Sequence, residues 1–202
     1  MQKLSSLYAN NFIHLLSNFD WNALTPLANA FHECWQNGRQ IFICGNGGSA
    51  GNAIHLANDY SYGCAKNAKR ALRVQSLSAN PAVMTCLAND EDYSQIYSLQ
   101  LRSYAQAGDL LIVLSGSGNS ANIINAIKEA QQLKMTTVGI LGYDGGRALS
   151  MVDIAIHSQI DDMQISEDFQ LVVGHMLMKW LSENVPKSLR KETLTEEVEA
   201  HA

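Results

Sequence analysis

Apolar residues recur along this chain in two rhythms. Over the first forty residues the rhythm is helical: Leu4, Leu7, Tyr8, Phe12, Leu15 and Leu16 form one set, and Leu24, Leu27, Ala28, Phe31 and Trp35 a second. Asp20 is placed to N-cap the second helix and Asn37-Gly38 to stop it. From Gln40 onward, short and solidly apolar runs alternate with helical stretches. Strands are predicted at 40–44, 72–77, 110–114, 136–141 and 154–158, and helices at about 50–61, 81–88, 92–106, 119–133 and 162–183. Runs that are apolar at nearly every residue suit strands buried on both faces. The alternation therefore predicts an α/β class: a parallel sheet of five strands flanked by helices, with two extra helices at the N-terminus. No repeat or internal boundary interrupts it. The expectation is a single domain over 1–185 and a polar, acidic tail over 186–202 with a frayed end.

Ligands of such sheets bind at the carboxyl ends of the strands, and two of those ends have unusual turns. After the apolar run 110–114 comes Ser115-Gly116-Ser117-Gly118-Asn119-Ser120, then helix-compatible sequence from Ala121. A turn of this kind offers an anion free backbone N–H groups, serine hydroxyls and the positive end of a helix dipole. It contains no lysine or arginine, so any anion there is held by hydrogen bonds. After 41–44 comes Gly45-Asn46-Gly47-Gly48-Ser49, where the glycines permit positive φ and Ser49 suits an N-cap. This is neither a Walker loop nor the Gly-x-Gly-x-x-Gly dinucleotide fingerprint. Either turn alone reads equally well as a helix cap; the pair points to a phosphate site. A third turn, Gly142-Tyr143-Asp144-Gly145-Gly146, either reaches the same end or simply precedes a short helix.

Composition narrows the partners. In 202 residues the hydrophobic fraction is 47% and the charged fraction 16%, which describes a globular chain with a large core. A net charge of −5 without a basic cluster argues against nucleic acid. No signal peptide is apparent, and no apolar run approaches the roughly 18–20 residues of a membrane span. Cys34, Cys44, Cys64 and Cys86 form no Cys-x-x-Cys pair and suit a reducing cytoplasm.

Few ionisable groups are placed for chemistry. His55 and Asp59 lie four residues apart and share a helix face. On the last helix, Glu167 lies roughly 80° from His175 on the helical wheel and Asp168 roughly 20°, so spacing favours Asp168 as its partner. That helix is otherwise mostly core, and a lone histidine there is more often structural than catalytic. Asn89-Asp90 sits in a polar turn where a helix-ending role is the simple reading.

Taken together, Cys44-Gly45-Asn46-Gly47-Gly48-Ser49, His55-Leu56-Ala57-Asn58-Asp59, Ala88-Asn89-Asp90, the turn at 115–120 and Asp144-Gly145-Gly146 resemble the sugar isomerase (SIS) domain family, in particular its phosphoheptose isomerase branch. The similarity runs in order from the N-terminal helices to about Leu181. It implies a three-layer flavodoxin- or Rossmann-like fold and a homotetramer with active sites where subunits meet. It also implies isomerisation of a sugar phosphate through an enediol, with products feeding heptose synthesis for surface glycans. Ser115, Gly116, Ser117 and Ser120 are the implied phosphate holders; Asn46, Gly47, Gly48, Ser49, Asn89 and Asp90 are further substrate contacts. The implied metal and catalytic positions are His55, Asp59, Glu167 and His175, which selects Glu167 over Asp168.

Two departures stand out: familiar members have Glu at the position of Asp59 and Gln at that of Glu167. The shorter Asp59 moves its carboxylate by roughly 1.5 Å, and a misplacement of about 1 Å can cost on the order of a hundredfold in rate. Glu167 adds a second carboxylate, so His55, Asp59, Glu167 and His175 make an expected Zn²⁺ ligand set. The altered pair reads either as a compensated site or as the mark of another sugar phosphate. Asp59 and His175 are assigned the two proton transfers, in an open order. The rival is a non-catalytic sugar-phosphate sensor or assembly protein, which needs the serine turns but neither Asp59 nor His175.

Overall fold

The computed structural model describes residues 1–191, so the expected frayed end of the tail lies outside the described residues. Five strands, β1 (Gln40–Gly45), β2 (Arg73–Ser76), β3 (Leu110–Ser115), β4 (Thr136–Leu141) and β5 (Ile154–His157), form one parallel sheet in the order β2-β1-β3-β4-β5. β1 is the strand at which the order reverses: Ile43 is level with Ser76 on one side and Ile112 on the other. The crevice at its carboxyl end, where such sheets bind ligands, is bounded by the turns after β1 and β3.

Successive strand residues point to opposite faces, and each face has its own core. Ile41, Ile43, Ile112, Leu114, Val138, Ile140 and Ile156 pack against α1 (Gln2–Asn18), α2 (Leu24–Asn37), α3 (Gly48–Ser61) and α8 (Met163–Glu183). Phe42, Cys44, Leu111, Val113 and Leu141 pack against α4 (Pro81–Asp90), α5 (Ser98–Tyr104), α6 (Ala121–Gln132) and α7 (Gly146–Leu149).

Local chemistry sets the helix ends. Asp20 accepts from the Asn22 amide at 3.1 Å and caps a 3₁₀ turn that leads into α2, and Gly38, at φ 68°, ends α2 in a left-handed conformation. The predicted helix at 92–106 is divided. Asp92 accepts from the Ser94 amide at 2.7 Å, fixing a 3₁₀ turn at Tyr93–Gln95, and α5 follows. In α1 only Leu15 is buried, while Leu4 and Leu7 are exposed; Tyr8 donates to the Asp168 carboxylate of α8. The segment after 185 is not free at its start: Pro186 is buried, the Lys69 amide donates to the Leu189 carbonyl, and the Lys191 amide to that of Asn67.

The contact that matters most for the site is between α3 and α8, which run side by side in the same direction. Residues 48 and 52 meet the start of α8, around 167–170, and residues 56 and 60 meet Gly174. A Cβ on Gly174 would stand 2.3 Å from Leu56 Cδ2, so the missing side chain lets the helices close. The buried Tyr60 hydroxyl then donates to the Gly174 carbonyl at 3.1 Å. Overpacking of this kind typically costs about 1–3 kcal/mol, against which alanine recovers up to about 1 kcal/mol of helix propensity. Gly174→Ala is therefore expected to lower the free energy of unfolding, by up to about 2 kcal/mol, in chemical denaturation.

Candidate active site

The turn after β1 starts α3 earlier than the sequence predicts. Gly47 is the N-cap, at φ 55° and ψ −122°, and Gly48 is the first helical residue. Ser49 therefore lies inside the first turn and not at the cap. It is buried, and its hydroxyl accepts from Gln170 Nε2 of α8 at 3.0 Å. That hydroxyl serves the helix packing, which corrects the capping role expected for Ser49 and turns its side chain away from the crevice. The Asn46 side chain is also engaged. Its amide and that of Asn122, on α6, exchange two hydrogen bonds of 2.8 Å each. Asn46 Oδ1 also accepts from the Tyr93 hydroxyl at 3.1 Å. Beneath it, Tyr97 donates to the Gly45 carbonyl and lies 3.1 Å from the Ser78 hydroxyl. Burial pushes the Tyr97 phenol well above its ordinary pKa, so it remains a donor.

The turn after β3 is shaped by its own hydroxyls. Ser115 Oγ accepts from the Gly118 amide at 3.0 Å and Ser117 Oγ from the Asn119 amide at 3.3 Å. Ser120 is the N-cap of α6 by position, but its hydroxyl makes no capping bond. Gly118, at φ 62°, lies so close to the third turn that a Cβ would stand 2.0 Å from the Gly145 carbonyl oxygen. Gly116 is covered by Met163. The third turn thus braces the serine turn from outside; the Ala148 amide donates to the Gly118 carbonyl, and the Arg147 amide to Asn119 Oδ1. A cavity of about 950 Å³ opens beside Ser117 and is lined by Tyr143, Asp144, His157 and Asp161 among others; His55, Asp59 and His175 are not part of its wall.

On the outer side of α3 and α8, His55, Asp59 and His175 converge. The two Nε2 atoms are 2.9 Å apart, and Asp59 Oδ2 lies 3.4 Å from that of His55 and 3.5 Å from that of His175. The rings are nearly perpendicular, at 89°. Their hydrogen bond requires one Nε2 to carry a hydrogen and the other a lone pair. The imidazoles are 48% and 44% exposed and the Asp59 side chain 17%, so the group opens to solvent. Its three donors fit a divalent metal. On bonds of about 2.1 Å, tetrahedral ligand atoms are about 3.4 Å apart; the two distances to Asp59 match this, whereas the Nε2 atoms, at 2.9 Å, would have to part by about 0.5 Å to admit an ion, and a fourth position would stay open.

Neither acidic neighbour considered for His175 on its own helix joins this group. Asp168 is taken by Tyr8. Glu167, expected among the metal ligands, stands eight residues before His175, about 12 Å of helix rise away. Its carboxylate instead lies on Gly48, with Oε2 2.3 Å from where a Cβ of that residue would be. The acidic partner of His175 comes from the adjacent helix, as Asp59. Asn89 and Asp90 end α4 in solvent. Hydrogen bonds from Asn89 and Cys86 hold the Asp90 carboxyl below the usual range, and no hydrogen bond among the described residues joins this pair to either turn. Sequence reading missed Asn122, Tyr93 and Gln170, whose amide and phenol groups carry no motif and are recognisable only by what they touch.

Three comparisons bear on this site. The SIS domain family model matches residues 7–142. The phosphoheptose isomerase of Nitratiruptor sp. is 34% identical over 152 residues, covering 75% of this chain and 81% of that one; the phosphoheptose isomerase of Aliarcobacter butzleri is 36% identical over 145 residues, covering 72% and 76%. Among solved structures, the phosphoheptose isomerase of Neisseria gonorrhoeae superposes with a TM-score of 0.83 at 25% identity, covering 90% of this chain and 98% of that one.

The paired amides of Asn46 and Asn122 make a direct prediction. Asn122 is 1% exposed, and removing it leaves Asn46 Nδ2 without its partner in a partly buried place, while Asn46 Oδ1 keeps the Tyr93 hydroxyl. Asn122→Ala is expected to cost about 1–3 kcal/mol of stability in denaturant titration. It should also weaken binding of a sugar phosphate, because the two turns lose their direct tie.

Proposed function

The chain belongs to the SIS domain family, and we propose that it is a phosphoheptose isomerase, interconverting sedoheptulose 7-phosphate and D-glycero-D-manno-heptose 7-phosphate through an enediol. The observation that carries this reading is the cluster of His55, Asp59 and His175 on the chain that also bears the serine turn. A sugar-phosphate sensor needs the turn but has no use for two imidazoles and a carboxylate in mutual contact.

In this reading the phosphate sits in the turn at 115–120, at the Ser120 hydroxyl and the Ala121 and Asn122 amides of α6; the next amide, of Ile123, is already taken by the Asn122 side chain at 2.9 Å. The backbone of Asn46, Gly47 and Gly48 borders the sugar, with Asn89 and Asp90 as further contacts. Asp59 and His175 share the two proton transfers. One takes the proton beside the carbonyl and the other moves a proton among the oxygens, tasks that suit a carboxylate and an imidazole. His55 holds the second ring in orientation through the bond between the Nε2 atoms. His55, Asp59 and His175 could instead hold a Zn²⁺, which would polarise the carbonyl oxygen; their donor atoms would then face the metal and not one another, so metal binding competes with the free acid and base roles.

The location of the cluster supports a site completed by a second subunit, within a homotetramer. It lies about 10 Å of helix rise from the glycine turn, is open to solvent, and is flanked by the exposed apolar side chains of Ile54 and Met176. Exposed Leu4 and Leu7 on α1 offer a second apolar surface. No helix of the described residues is long and apolar enough to cross a membrane. We place the enzyme in the cytoplasm, where its product feeds heptose synthesis for surface glycans.

Steady-state kinetics with sedoheptulose 7-phosphate test the assignment. Asp59→Asn and His175→Ala are each expected to lower kcat by on the order of a hundredfold or more while KM moves little. Wild-type kcat in either variant would remove that residue from the chemistry.

A further inference from the structure

The structure has two turns of similar design at the ends of adjacent strands, β1 and β3. Both lead into helices, α3 of 14 residues and α6 of 12, and both present amides at a positive helix end. Taken by backbone alone, either turn would accept an anion. A substrate with one phosphate would then have two competing ways to dock, only one of them productive.

The two turns differ in what faces them. At the start of α3, both Glu167 carboxylate oxygens and the carboxyl carbon lie within 2.3–2.5 Å of the point where a Cβ on residue 48 would stand. Only a glycine at 48 leaves room for the carboxylate there. The backbone that carries it is held in place. The Glu167 carbonyl accepts from Asn52 Nδ2 at 3.0 Å, the same amide nitrogen reaches Gln170 Oε1 at 3.0 Å, and Gln170 in turn donates to Ser49. No lysine, arginine or histidine forms an ion pair with Glu167 among the described residues. A negative charge is thus built onto the positive end of α3, where it is favoured by the dipole and repels any other anion.

We propose that Glu167 is a specificity-determining residue that excludes phosphate from the glycine turn, so that the substrate's phosphate can enter only the serine turn and the sugar binds in one polarity. This rests on the reading above, in which the turn at 115–120 holds the phosphate. It gives Glu167 an electrostatic task separate from the cluster of His55, Asp59 and His175.

Inorganic phosphate is a sufficient probe. Titration of the full chain and of Glu167→Gln, followed by crystal structures of both soaked in phosphate, counts and locates the bound anion. The wild type is expected to bind one equivalent per chain, at 115–120, and Glu167→Gln a second one against Gly48 and Ser49. Affinity at the glycine turn should rise at least tenfold in the variant. A Glu167→Gln protein that still binds a single phosphate, at the serine turn, overturns the role of Glu167 and leaves the phosphate reading intact. Ser117→Ala combined with Ser120→Ala separates the two. If the wild-type equivalent survives that change unaltered, the serine turn is not the phosphate site. If that equivalent is found on Gly48 with Glu167 in place, the exclusion fails as well.

Discussion

The close approach of α3 and α8 sets the rest of the site. It depends on one glycine from each helix: Gly174 admits Leu56, and Gly48 admits the Glu167 carboxylate. Between these two points, Ser49, Asn52 and Gln170 satisfy one another's polar groups in a narrow interface. Such a contact has little tolerance, because a packed interior does not deform smoothly when a methyl group is added. What it secures is chemical. Two turns further along, the same pair of helices presents His55 and Asp59 to His175 at distances of 3.4 and 3.5 Å from the carboxylate oxygen.

A second constraint joins the two strand ends. Asn46 and Asn122 are mostly or wholly buried, and each amide uses both its oxygen and its nitrogen on the other. Buried amides that are fully paired hold a geometry, whereas unpaired ones would open it to water. The serine turn is fixed against the glycine turn from one side by this pair, and against Gly145 and Arg147 from the other. The turn at 115–120 is therefore held from both sides. The cluster of His55, Asp59 and His175, by contrast, opens to solvent between the exposed apolar side chains of Ile54 and Met176.

Much of this was legible in the sequence because buried parallel strands are apolar at nearly every residue. The run 136–141 matches β4 to the residue, and the other strands agree within one residue at each end. Asp20 and Gly38 act at the helix ends where their chemistry places them. The helical wheel was less informative for His175, since angle alone ignores rise. Asp168 shares its azimuth closely but stands about 10 Å away along the axis, and the structure gives it to Tyr8 of α1. Ser49 has the right residue type for a cap, yet Gly47 with positive φ already turns the chain, so the serine falls inside the helix and packs on α8. Tyr93 and Asn122 reach Asn46 from segments 47 and 76 positions away, which local pattern cannot register.

The proton transfers give this chain its proposed activity, and solvent exchange reads them directly. Protein with and without added Zn²⁺ is incubated with sedoheptulose 7-phosphate in D₂O, and the carbon-bound hydrogens beside the carbonyl are followed by NMR. Enediol chemistry at a solvent-open pair, Asp59 and His175, predicts deuterium at the ketose carbon 1 and at carbon 2 of the aldose product, with both incorporations lost in Asp59→Asn. Tight binding of the sugar phosphate without any deuterium incorporation would contradict the isomerase and leave a binding protein in its place.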